Sequence, residues 1–119
     1  MIPAEVRRGD VVMTDFSPAR AHEANFVRPA VVVTSDRANL YAPAITLVPL
    51  TSNVENVHAF QLMLPRARTG LDRDSKAQVE LIRSVSKSRI RRTLGSLPPD
   101  LVWQLDKRLA EHLDLVQVR

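Results

Sequence analysis

The chain has 119 residues, 45% apolar and 25% charged, with a formal net charge of +4 and no cysteine. That length holds one domain, expected to span residues 1–119 around a single modest core. The missing cysteines exclude a disulfide framework and thiolate metal sites. No apolar run approaches the ~20 residues of a membrane helix, and Met1–Arg8 has no apolar signal region, so a cytoplasmic protein is expected.

The expected strands are short and separated by turn chemistry. Val11–Asp15 is the first, entered through Gly9. A long polar connection, Phe16–Arg28, leads into the second at Pro29–Ser35, whose Ala30-Val31-Val32-Val33 run reads as a strand buried on both faces. Ala44–Pro49 is the third and ends in Thr51-Ser52-Asn53. In Ala59–Leu64, the fourth, Phe60, Leu62 and Leu64 alternate with Gln61 and Met63, predicting one wet face. Gly70 ends a basic loop. Ala77–Ser84 is the fifth strand, with Val79 and Leu81 opposite Glu80 and Ile82, and Ile90–Gly95 is the sixth.

The period then changes. Pro98-Pro99-Asp100 suits a helix entry, and Leu101, Val102, Leu105, Leu109 and Leu113 recur at helical spacing to about Leu115. Their stripe is expected to pack on the sheet. Short strands closed by one terminal helix predict a small, strongly bent barrel in the α+β class.

Charge is uneven. Residues 66–92 carry nine basic groups against three acidic ones, a local net of +6, and the remainder is net −2. Fourteen of the seventeen cations are arginine, which suits bidentate phosphate contacts. The pattern points to nucleic acid, or equally to a solvated surface.

No metal-ligand spacing, P-loop, dinucleotide fingerprint or nucleophile elbow occurs, so no metal and no cofactor is expected. His22, His58 and His112 are far apart, and the last two read as structural. Two segments remain unusual: the connection that ends at Arg28-Pro29, and Val48-Pro49-Leu50-Thr51-Ser52-Asn53, where an apolar strand runs into three hydrogen-bonding side chains. Taken singly, each also fits an ordinary ion pair or loop cap.

Taken together they carry a resemblance. Arg8-Gly9-Asp10-Val11, Asp15-Phe16-Ser17-Pro18, Glu23, Arg28-Pro29-Ala30-Val31-Val32-Val33, Val48-Pro49-Leu50-Thr51-Ser52 and Ile82-Arg83-Ser84-Val85 follow in the order found in the MazF/PemK toxins. With Arg89-Ile90, Leu94-Gly95 and the terminal helix, the similarity covers about residues 7–115. The resemblance implies an SH3-like barrel of five to seven strands, a homodimer, cleavage of single-stranded RNA, and a cognate antitoxin whose flexible acidic and apolar tail covers the RNA site. It also implies catalytic roles for Arg28 and Thr51, with Glu23 as the acidic residue of the preceding loop. Two departures bear on sequence preference: Ala21-His22 where the family often has Gly-Ser, and Leu81 where it often has Gln.

Metal-free RNA cleavage is easiest through the 2′-hydroxyl, and Arg28 suits stabilisation of the phosphoryl charge while Thr51 can donate a hydrogen bond to it. Glu23 or His22 could serve as base, and His22 could equally be solvated. Ser52 and Asn53 contact RNA or cap the loop; Phe26 stacks on a base or staples the core. Lys76, Gln78 and Arg83 are candidate RNA contacts. Rival readings are a gyrase poison on the same fold, which the Leu115-Val116-Gln117-Val118-Arg119 ending does not match, and a catalytically silent RNA-binding barrel.

Overall fold

The structure is a computed structural model that describes residues 5–17 and 26–115. Among these residues seven strands form one antiparallel, strongly bent sheet: β1 (Asp10–Asp15), β2 (Val27–Val32), β3 (Ala44–Thr51), β4 (Leu62–Leu64), β5 (Ser75–Ala77), β6 (Arg83–Ser86) and β7 (Ile90–Ser96). Among the described residues three α-helices accompany it: α1 (Asp36–Tyr41), α2 (Arg66–Thr69) and the terminal α3 (Pro99–His112). The strand order is β4-β5-β3-β2-β1-β7, with β6 also on β3. The expected bent, barrel-like architecture is present, but β4 and β7 do not pair, so the sheet stays open.

The bend has its cause in β3. This strand pairs with β6 through Ala44–Leu47 and with β5 only at Leu50 and Thr51. Between them Pro49 contributes no amide hydrogen, and its carbonyl accepts from the Gln78 amide at 2.9 Å. One strand thus serves two sheet segments by turning at a proline.

Alternation along the strands sorts the core into two clusters. Val11, Val31, Val48 and Leu50 face one side, where Leu101, Leu105 and Leu109 of α3 cover them. Val12, Ala30, Val32, Ile45 and Leu47 face the other with Phe16, Val85 and Ile90. Ala30, Val31 and Val32 are all fully buried, as a strand covered on both faces requires. Each leucine that α3 buries contributes about 1.5–3 kcal/mol, which holds the helix far more firmly than its propensity does.

Three expectations need correction. The strand expected at Ala59–Leu64 is only Leu62–Leu64, and Phe60 is exposed while Gln61 is buried, the reverse of the alternation. Gln61 is held inward by its polar bonds: its side chain donates to Glu80 at 2.8 Å and accepts from the His58 amide at 3.1 Å. The strand expected at Ala77–Ser84 is broken by a 3₁₀ turn at Val79–Leu81, which separates β5 from β6 and leaves Leu81 exposed. The basic loop ending at Gly70 contains α2, and Gly70 takes φ +80°, a left-handed helix stop. Helix α1, capped by the Ser35 hydroxyl on the Ala38 amide, had no counterpart in the periodicity.

Candidate active site

The β1–β2 ladder pairs Thr14 with Arg28. The β2–β3 ladder pairs Val32 with Leu47, Val31 with Val48 and Ala30 with Pro49, and ends there. Continued two residues, the same register sets Arg28 opposite Thr51. Thr51 in turn pairs with Lys76 on β5. Thr14 and Arg28 on one side, and Thr51 and Lys76 on the other, are thus two polar pairs on the sheet face away from α3.

The ladder stops where Pro29 and Pro49 bring no amide hydrogens to it. Beyond that point a cleft of about 310 Å³ lies between the strands, lined by Arg28, Pro29, Leu50, Thr51, Ser52 and Ser75. Pro29, the first residue of an expected strand, and Pro49, the last of another, thus lie beside a cleft that Arg28 and Thr51 share. Arg28 is exposed at its edge and Thr51 half-buried. The Thr51 hydroxyl oxygen accepts from the Asn53 amide at 3.2 Å, which occupies a lone pair and leaves its proton to be donated outward. The Asn53 side-chain oxygen accepts from the Glu55 amide at 3.3 Å. Thr51 and Asn53 therefore build two successive turns, and Ser52 is exposed between them.

The other candidates are placed as follows. Glu23 and His22, with the Ala21-His22 departure, lie outside the described residues. Phe26 is half-buried at the entry to β2, and its carbonyl accepts from the Phe16 amide at 2.9 Å. Arg83 is exposed on β6, its guanidinium 5.3 Å from the centre of the Phe16 ring. Gln78 is half-buried between β5 and the 3₁₀ turn. Lys76, expected as an RNA contact, is only 8% exposed, and its ammonium donates to the Asn56 carbonyl instead. Among the described residues, no group of three or more His, Cys, Asp or Glu could hold a metal ion.

Two arrangements escaped the sequence reading. At the base of the connection that leads to Arg28, Asp15 accepts from the Ser17 hydroxyl at 2.5 Å, the Ser17 amide at 2.9 Å and Arg91 at 2.8 Å. Arg89 donates to the Ser17 carbonyl. The hydrogen bonds from Ser17 and Arg91 lower the Asp15 pKa to about 2. Only the Asp15-x-Ser17 spacing hinted at this staple, since both arginines come from β7 or the turn before it. The second arrangement is on the loop after Asn53, where the rings of His58 and Phe60 stack at 5.2 Å with an interplanar angle of 7°. Both are exposed, although His58 read as structural in the sequence.

The chain is thus a small bent sheet with one closing helix that carries an arginine and a threonine on a solvent-open cleft. The family of PemK-like, MazF-like toxins of type II toxin–antitoxin systems matches residues 7–113, and the chain belongs to it. The chain is 47% identical over 115 residues to endoribonuclease MazF9 of Mycobacterium tuberculosis, covering 92% of this chain and 98% of the relative. The fold is similar to that of an endoribonuclease from a mycobacterial species, with a TM-score of 0.78, 18% identity and 99% of both chains covered. It is also similar to a mycobacterial endoribonuclease solved in complex with its cognate antitoxin, with a TM-score of 0.74, 17% identity, and 95% and 97% of the two chains covered.

Proposed function

We propose that this toxin is a sequence-specific endoribonuclease that cuts single-stranded RNA without a metal ion. The observation that carries the reading is the meeting of Arg28 and Thr51 on one open cleft in a chain of this family. In the reaction, the 2′-oxygen bonds to phosphorus while the bond to the 5′-oxygen breaks. A base takes the 2′ proton and the leaving 5′-oxygen takes one from solvent water, giving a cyclic phosphate and a 5′-hydroxyl. Arg28 holds the growing charge on the phosphoryl oxygens through its permanently charged donor fork. Thr51 donates to the same oxygens, its hydroxyl already turned by the Asn53 amide.

Glu23 is the proposed base, with His22 adjusting the loop around it. Ser52 and Asn53 line the strand's path beside Thr51, and Phe26 together with the His58–Phe60 pair offers ring faces on which bases stack. Arg83 meets the RNA backbone, and Gln78 supplies an amide near the bend. An antitoxin with an acidic and apolar tail would compete for the same cationic face, and the toxin would work as a homodimer.

The test is digestion of a long single-stranded RNA in EDTA with mapping of 5′ ends. Cuts at a short recurrent motif are expected, and the same sequence as DNA, lacking the 2′-hydroxyl, is spared. Arg28→Ala and Thr51→Ala should each lower the rate by ~10²–10³ while the protein stays folded. Cleavage that vanishes in EDTA, equal cutting of DNA, or near-normal rates in Arg28→Ala would overturn the reading.

A further inference from the structure

A lysine on a strand ordinarily runs its stem along the surface and keeps its ammonium in water. Lys76 does the opposite. It is 8% exposed, in direct register with Thr51, and its ammonium lies on the Asn56 carbonyl. Burying a charge is costly unless a polar partner receives it. A methionine or leucine would fill the same place on β5, so what the lysine adds is its grip on the loop. That grip falls three residues beyond Asn53, whose amide orients the Thr51 hydroxyl, and one residue beyond Glu55, whose amide closes the turn on Asn53. The far end of the loop is fastened separately, where Gln61 and His58 exchange hydrogen bonds at 2.9 and 3.1 Å.

We propose that Lys76 is a positioning residue that acts through Thr51: by holding Asn56, it fixes the turn that aims the Thr51 hydroxyl into the cleft. The proposal rests on the ribonuclease reading above. It gives Lys76 a role in the chemical step without a contact to RNA. A rigid hold is what such a step requires, because a displacement of about 1 Å at a reacting group can cost ~10² in rate.

The experiment is a double-mutant cycle on an RNA oligonucleotide containing one mapped cut site, using Lys76→Met, Thr51→Ala and the pair. Lys76→Met should lower kcat about 10- to 100-fold with KM little changed. In the Thr51→Ala background it should cost less than about twofold, because nothing remains to be aimed. Lys76→Arg, which can still reach a carbonyl, should recover part of the rate. The salt dependence of RNA binding should be the same in Lys76→Met as in the parent, since no phosphate contact is lost. Amide exchange supplies a readout independent of activity: Lys76→Met should speed exchange at Asn53 and Glu55 and leave the β2–β3 ladder protected, which also shows that the variant folds. Equal rate losses in both backgrounds, a raised KM with a shallower salt slope, or unchanged exchange at Asn53 would each overturn the proposal. A parent protein that cuts no RNA would instead overturn the ribonuclease reading. The exchange result would then still decide whether Lys76 holds the turn.

Discussion

A guanidinium carries donors and no acceptor, so Arg28 in its proposed role offers no site for the 2′ proton. A threonine hydroxyl is too weak an acid to act on its own. The base must therefore come from elsewhere, and Glu23 and His22 of the preceding connection are the candidates. A carboxylate base keeps its activity down to about pH 5, whereas a histidine base loses a factor of ten per unit below its reference value of ~6.5. Single-turnover pH–rate profiles of the parent, His22→Ser and Glu23→Gln separate the two. We expect Glu23→Gln to lose most of the rate and His22→Ser to keep the acidic limb unchanged. The reverse pattern would exchange their roles.

Among the elements, β1, β7 and the start of the 16–28 connection meet at Asp15. Ser17 and Arg91 hold its carboxyl at a pKa of about 2, well below the ordinary 3.8. A carboxylate with a depressed pKa in the folded state stabilises that state above its unfolded pKa, and the contribution is lost as pH falls through the folded value. Asp15→Asn should therefore lower the melting temperature at pH 5 and above. The gap between variant and parent should close between about pH 4 and pH 2, where the parent's carboxylate takes up its proton. Melting curves taken down to pH 2 test this, and a gap that persists unchanged would mean that Asp15 contributes by shape alone. Because Asp15 pairs with Val27, next to Arg28, the same variant should also loosen the entry to β2.

Over the whole molecule the count of basic groups overstates the cations left open to a polyanion. Several of those in the basic stretch already have partners: Arg68 pairs with Asp100 at 2.7 Å, and Arg91 and Arg89 meet Asp15. Fewer cations than the count suggests are therefore turned to phosphate. RNA binding should weaken with salt along a slope of about −0.7 per phosphate neutralised, and should correspond to fewer contacts than the nine basic groups of residues 66–92. The active species is expected to be a symmetric dimer. Titration of RNA binding against salt, with light scattering at micromolar concentration, checks both. A slope matching all nine groups, or a fully active monomer, would contradict this account.

The amino-acid sequence was enough for the strand cores, the terminal helix and the family, and it marked Arg28 and Thr51 as the candidates for the site. Each of these is carried by local pattern: the Ala30–Val33 run, the leucines of α3 and the order of short motifs. It misread the places where one distant contact outweighs the pattern. Gln61 is buried at a position that alternation assigns to water, because Glu80 and His58 satisfy its amide. Lys76 was a candidate RNA contact because nothing local reveals that the Asn56 carbonyl receives its ammonium. The 3₁₀ turn at Val79–Leu81 divides an apparent strand because β3 changes partner at Pro49. Above all, the meeting of Arg28 and Thr51 depends on the register between β2 and β3, a property of pairing which a single strand's residues do not encode.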